Sequence, residues 1–290
     1  MNINKLGVWF FTEALTATET AEFARQVEAW GYGAFWIPEA RGRDALVQSS
    51  WLLSQTDKLV IATGIANIFA RDAMAAQASR LTLNEQSNGR FLLGLGVSHA
   101  PLVERLRGHN YNKPLAFMKE YLGKMAEAKY DAPRSDDPGE VIVAALGPKM
   151  LELSRDQADG AHPYNVTPEH TAEARAILGA GKKLYVEQKV MLETDPVKAR
   201  AAAREVIDIY LKLPNYRNNW LRWGFTEEEI DGTSDRFLDA MVAWGDEDAV
   251  AARIQAHLDA GADHVCLQPV GGANGKPERK VLEAMARRFF

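Results

Sequence analysis

Eight short apolar runs punctuate this chain, and each is followed by a stretch of helical period. The runs lie over 6–11, 34–38, 59–65, 91–97, 141–146, 160–166, 184–192 and 264–270. The third reads Leu-Val-Ile-Ala-Thr-Gly-Ile with no polar alternation, as expected of a strand buried on both faces. Between the runs, 18–30 carries Ala21, Ala24, Val27 and Trp30 at helical spacing, with Thr18 as N-cap and Gly31 as the stop. Further helices are expected over 44–55, 72–85, 114–129, 148–158 and 168–178. Asp195-Pro196 opens a long helix with proline at its first position. Segment 246–260 sets Val250, Ile254 and Leu258 on one face, and 277–289 closes the series. Strand–helix units joined in parallel make either a doubly wound sheet or a closed barrel. Eight units in 290 residues favour the α/β class and a single (β/α)8 TIM barrel over 1–290.

One segment breaks the alternation. Residues 213–237 hold Tyr216, Trp220, Trp223 and Phe225, so they read as an apolar insertion before strand eight, near the barrel mouth, rather than a linker. Its aromatics are candidates for a subunit interface. No domain boundary, internal repeat or low-complexity tract is present.

Composition excludes several classes of function. A formal charge of −5 without a basic stripe argues against nucleic acid as a partner. No cationic amphipathic segment suits a membrane surface, and the apolar run at 6–11 is too short for a leader or a span. The single cysteine, Cys266, sits in an apolar run and cannot form an intrachain disulfide. A reducing, cytoplasmic setting is therefore expected, and the Asn165-Val166-Thr167 glycosylation pattern is idle there. No His/Cys/Asp/Glu spacing suits a metal, and no Gly-x-Ser-x-Gly elbow appears. Gly94-Leu95-Gly96 lacks the rest of a dinucleotide fingerprint.

The order of Ile61-Ala62-Thr63-Gly64-Ile65, Arg71-Asp72, Leu81-Thr82-Leu83 and Gly89-Arg90-Phe91-Leu92-Leu93-Gly94-Leu95-Gly96 resembles the luciferase-like monooxygenase superfamily. Ala144-Ala145-Leu146-Gly147-Pro148-Lys149-Met150-Leu151 and Ala260-Gly261-Ala262-Asp263-His264-Val265 extend the likeness over the whole chain. It is strongest to the actinobacterial group of oxidoreductases that use the deazaflavin coenzyme F-420. The resemblance implies a homodimeric barrel that passes hydride between coenzyme F-420 and a small organic substrate. Members that use reduced FMN as monooxygenases share the scaffold, and nothing in the sequence separates the two. A barrel that binds a flavin or another ligand without catalysis is the third reading.

The resemblance also places the cofactor. It implies a non-proline cis peptide at Gly64-Ile65, where the sequence by itself would equally have Gly64 simply end a strand. Asn67, just past strand three, could bond the ring edge. The resemblance sets the phosphate near Gly96-Val97-Ser98 and near Ala145-Leu146-Gly147-Pro148-Lys149. There Pro148 would open a helix whose free N–H groups suit an anion, Gly147 would permit close approach, and Lys149 would add charge. A plain β-to-α turn would need the glycine equally. His99 stands where relatives often carry an acidic residue; it could move a proton beside the hydride step or only bond the cofactor. Glu39, at the end of strand two, could act as acid or base if Trp36 and Trp9 desolvate it. The alternative is a salt bridge to Arg41 or Arg43. Trp9, His162, Tyr164, Gln188 and Gln268 are candidates for the substrate pocket: polar residues in otherwise apolar barrel strands point either into the mouth or into a satisfied network, and Trp9 reads equally as a core aromatic. His109, His170 and His257 are expected on loop or helix surfaces, without a role.

Overall fold

A computed structural model describes residues 3–290. Its strands are β1 (Leu6–Trp9), β2 (Ala34–Ile37), β3 (Val60–Thr63), β4 (Ala66–Asn67) and β5 (Phe91–Gly96). They continue as β6 (Val141–Val143), β7 (Gly160–Ala161), β8 (Lys183–Leu192), β9 (Val242–Gly245) and β10 (His264–Pro269). Eight of them close on themselves in the order β1-β2-β3-β5-β6-β7-β8-β10, all parallel. Leu6 lies opposite Val265 and seals the ring. The expected (β/α)8 barrel is present. β4 extends the β3 side of β5, with Asn67 opposite Gly96.

Alternation along the strands divides the core. Trp9, Trp36, Ala62, Leu92, Ile142, Tyr185 and Cys266 pack together in the barrel interior. Their neighbours Val8, Phe35, Ile61, Leu93, Val143 and Val265 pack outward among the helices. Both faces are apolar, which is why the strands read as unbroken runs.

Local chemistry sets the helix starts. Thr16, not Thr18, caps the helix Ala17–Ala29: its side chain accepts from Glu19 N, and the Glu19 carboxylate accepts from Thr16 N. A capping box needs a carboxylate three residues on, which Thr16 has and Thr18 lacks. Asp44, Asp72 and Asp195 cap later helices in similar fashion.

The insertion is ordered. It holds helices Pro214–Arg222, Glu227–Asp231 and Asp235–Met241. Tyr216, Trp220, Phe225 and Phe237 form a second apolar core with Met191 and Val242. Those aromatics are buried within the chain, while Trp223 is half-buried. Beyond the insertion the chain enters β9, a strand the sequence does not lead one to expect. On its β8 flank, β7 pairs only with Lys183 and Leu184, while β8 runs to Leu192. Lys189 and Val190 bond β10 on one flank and β9 on the other. β9 therefore covers the edge that short β7 leaves open. Among the described residues no helix is long and apolar enough to cross a membrane.

Candidate functional site

The strand tips surround a cavity of about 810 Å³, within the range of small-molecule sites. Trp9 lines it from β1, Glu39 from β2, and Gly64 and Ile65 from β3. Gly96, Val97, Ser98 and His99 line it from β5, and Ala145, Leu146, Gly147 and Pro148 follow β6. His162 and Tyr164 follow β7, and the segment after β8 adds Tyr210, Tyr216 and Arg222. The turns at Gly64, Ser98 and Gly147 thus converge on one space. Asn67, Lys149, Gln188 and Gln268 do not line it.

Each turn has its own construction. The Gly64-Ile65 peptide is cis. Trp9 Nε1 donates to Gly64 O at 2.8 Å. A Cβ on Gly96 would lie 2.5 Å from Ile65 Cγ1, so that glycine makes room for Ile65. Ser98 adopts φ +56°, and Tyr111 donates its hydroxyl to Ser98 O at 3.1 Å. Gly147 caps helix Pro148–Gln157 without any side-chain capping bond, and a Cβ there would meet nothing within 4 Å. The helix therefore presents uncapped N–H groups to open space, a geometry suited to an anion. Lys149 is exposed on that first turn. Arg222 is the cation that reaches the cavity there; its Nη1 is paired with Glu173 at 2.7 Å and its Nη2 is 3.1 Å from Asn219 Oδ1.

Glu39 is held rather than free. Its side chain is only 4% exposed. The carboxylate accepts from Asn67 N at 2.7 Å, from Arg71 Nη1 at 2.9 Å and from Arg71 Nη2. Its ionic partner is Arg71, not Arg41 or Arg43; Arg43 donates to the carbonyls of Thr12 and Leu15. Asn67 uses its side chain to accept from Phe69 N at 2.9 Å. Burial lowers the pKa of His99, while a bond to Asn215 acts against that shift. Its ring lies 5.5 Å from the ring of Tyr216.

Behind the Tyr164 wall lies a polar cluster that sequence reasoning missed. Lys189 Nζ is fully buried, 2.5 Å from Asn165 Oδ1 and 3.3 Å from Glu187 Oε1. It stands 4.0 Å from the centre of the Tyr164 ring, a cation–π contact. Burial pushes Glu187 up and Lys189 down, and each charge opposes the other's shift. Tyr164 donates to Gln268 Oε1 at 2.8 Å and pairs with the Tyr210 hydroxyl at 2.7 Å. Gln188 is a strut: its amide donates to the carbonyls of Lys189 and Met241, and its oxygen pairs with His257 Nε2. A signal existed. Glu187 and Lys189 are two apart in an apolar strand, so they share a face and must be paired if buried. His170 and His257 are likewise fully buried, not on the surface as expected. His170 Nε2 bonds Leu146 O at 2.8 Å, and His257 Nδ1 lies 2.8 Å from Thr171 Oγ1. His109 is exposed.

The chain matches the luciferase-like monooxygenase family model over residues 4–264, and it belongs to that family. A Mycobacterium tuberculosis protein, provisionally named a coenzyme F-420-dependent oxidoreductase, is 28% identical over 76% of this chain, and the match spans 59% of that relative's length. A 5,10-methylenetetrahydromethanopterin reductase of Methanolobus tindarius is 25% identical, covering 90% of this chain and 93% of the relative. Among solved structures, the coenzyme F-420-dependent tetrahydromethanopterin reductase of Methanopyrus kandleri superposes with a TM-score of 0.79 at 17% identity, over all of both chains. The FMN complex of a Pseudomonas putida Baeyer–Villiger monooxygenase gives 0.72 at 15% identity, over 99% and 98% of the two chains. These likenesses are to the fold.

Proposed function

We propose that this chain is an oxidoreductase that transfers hydride between coenzyme F-420 and a small organic substrate. The observation that carries the reading is the convergence of the Gly64, Ser98 and Gly147 turns on one largely apolar cavity with an uncapped helix start at its edge. That combination suits a phosphorylated planar ring. The names of the sequence relatives favour the deazaflavin. Reduced FMN, with monooxygenase chemistry, is the second reading, favoured by the FMN-bound structural neighbour.

When bound, the deazaflavin supplies a hydride-carrying ring carbon where flavin has nitrogen. The chain's part is orientation and electrostatics. Ile65, Gly96, Val97, Ala145 and Leu146 would wall the ring. Ser98, Gly147 and the N-terminus at Pro148 would take the phosphate, with Arg222 at hand and Lys149 acting at longer range. Trp9, Tyr164 and His162 would floor the substrate space. His99 would be neutral at pH 7, given its lowered pKa, and able to accept a proton. Glu39 would hold the β2 tip and Asn67 in place through Arg71, a positioning role. Gln188 and Gln268 would brace the wall from behind. The homodimer expected from the family has a candidate surface in Val47, Trp51 and Met74, which are exposed on helices Ala45–Ser54 and Ala73–Ser87. Sedimentation should then give a dimer that Trp51→Glu dissociates.

Fluorescence titration with purified coenzyme F-420 and with FMN tests the cofactor. Saturable deazaflavin binding in the micromolar range or tighter is expected. Tight FMN binding with no response to the deazaflavin would overturn the first reading in favour of the second. Binding of neither would overturn both.

A further inference from the structure

The segment that follows β5 returns to its own start. It passes through a π-helical turn at Pro101–Leu106 and reaches the helix Pro114–Glu127. Turns of this rare kind recur at functional sites. Tyr111, near the end of the segment, donates its hydroxyl to Ser98 O at 3.1 Å. Both residues line the cavity. The Tyr111 ring is set by packing: its centre lies 5.8 Å from that of Phe69, which lies 4.7 Å from Phe117. Burial pushes the Tyr111 phenol up to about 12, so it stays protonated and able to donate at neutral pH.

What the hydroxyl holds is an uncommon backbone. Ser98 sits at φ +56°, in the left-handed region that serine seldom adopts. The next carbonyl, His99 O, is held by Leu102 N and Val103 N at 2.9 and 3.0 Å. Among the described residues, Ser98 O has only Tyr111. The N–H groups of Ser98 and His99 bond no described group of the protein. A trans peptide is planar, with C=O and N–H pointing opposite ways. With Ser98 O drawn to Tyr111, the His99 N–H is turned to the other side. Successive N–H groups around a left-handed residue form a concavity suited to an anion.

We propose that Tyr111 is a positioning residue: its hydroxyl holds the Ser98 turn in the conformation in which the N–H groups of Ser98 and His99 receive a phosphate. Released from that bond, the Ser98–His99 peptide is free to rotate and set a carbonyl lone pair where the anion needs a donor. The proposal rests on the function proposed above, in that a phosphorylated ring occupies this cavity. It does not rest on the choice of ring, since FMN and coenzyme F-420 both carry a phosphate.

The experiment compares a phosphorylated ring with its phosphate-free counterpart by fluorescence titration: FMN against riboflavin, and coenzyme F-420 against its ribityl deazaflavin core. It uses wild type, Tyr111→Phe, Ser98→Gly and the double variant, after circular dichroism confirms folding. The ratio of the two affinities isolates the share of the phosphate. Tyr111→Phe keeps the ring packing and loses one hydroxyl. It should cut that ratio by roughly tenfold, one hydrogen bond's worth, and leave affinity for the phosphate-free ring unchanged. Glycine enters the left-handed region without penalty, so in the Ser98→Gly background the same change should cost less than about threefold. A merely structural role would weaken both rings alike. A wild-type ratio in Tyr111→Phe, equal weakening of both rings, or an undiminished effect beside glycine overturns the inference. If wild type binds no ring, the proposed cofactor reading falls, and thermal-shift titration with inorganic phosphate decides the role of Tyr111. Stabilisation by phosphate in wild type that Tyr111→Phe loses supports that role; no difference between the two proteins overturns it.

Discussion

Two buried ion pairs flank this cavity, and they are built on different principles. Glu39–Arg71 sits at the rim, joins the β2 tip to the loop after β4, and is fork-shaped, with a backbone N–H completing the carboxylate's partners. Glu187–Lys189 lies behind the Tyr164 wall on a single strand, at 1% and 0% side-chain exposure. The side of the cavity near the first pair is made largely of backbone: the cis peptide, Gly96, the Ser98 turn and the bare helix start at Gly147. The side near the second is made of side chains: Tyr164, Tyr210, Tyr216 and His162. Backbone walls accept one ligand shape whatever the sequence around them. Side-chain walls can be varied one residue at a time. The first side therefore suits an invariant cofactor and the second a variable substrate.

The largest effect should come from the deeper pair. Lys189→Met leaves Glu187 buried with only Asn165 N for support, at a cost of about 3–5 kcal/mol in chemical denaturation. Adding Glu187→Leu removes the orphaned charge and should recover most of that loss. Arg71→Met should cost less, because the rim lies nearer water. A double variant as unstable as Lys189→Met alone would show that the charges are not a coupled unit.

The glycines on the backbone side separate folding from binding. Gly96→Ala forces a contact with Ile65 and should destabilise by about 1–3 kcal/mol. Gly147→Ala meets open space, so stability should hold. The added methyl instead stands where an anion would approach, and ring affinity should drop by roughly tenfold, one hydrogen bond's worth. Equal losses of stability in the two variants would erase the distinction.

Most of the barrel could be read from the sequence, because strands buried on both faces leave unbroken apolar runs. The reading failed where local pattern carries no information about partners. β9 is four residues that exist as a strand only because β8 outlasts β7. Strands β6 and β7 stop at Val143 and Ala161, short of the apolar runs, because the residues beyond them turn away to form the mouth. On the site, it was the resemblance to the family that pointed to the turns at Gly64, Ser98 and Gly147, which the fold brings onto one cavity. Glu187, Lys189 and Asn165 were missed because their pairing depends on long-range packing. Gln188 looked like a pocket residue because a strand's alternation does not reveal which polar side chain meets a partner first.

Acid should find the side-chain half. His162, His170 and His264 sit with pKa values near 4 and His257 near 3, all lowered chiefly by burial from an ordinary 6.5. The unfolded chain binds these protons first. Stability is therefore full above about pH 6.5 and falls as pH drops toward 4, by about 1 kcal/mol per histidine at pH 5.5. Denaturation at pH 7.5 and 5.5 measures the sum. His257→Gln should flatten the slope, whereas Arg71→Met, on the backbone side, should leave it unchanged.

The smallest effect belongs to Lys149. It is exposed on the first turn of helix Pro148–Gln157 and does not line the cavity, so its charge acts on a phosphate at the helix start only through solvent. Such interactions contribute about 0.3–1 kcal/mol and are screened by salt. Lys149→Ala should thus weaken ring binding by less than about fivefold at low ionic strength, and the difference should vanish at high salt. Arg222→Ala, which removes a cation from the cavity wall itself, should weaken binding more and keep its effect in salt. A salt-insensitive loss at Lys149 equal to that at Arg222 would mean that the anion lies outside the cavity, on the exposed face of the helix, and the backbone half would no longer be its seat.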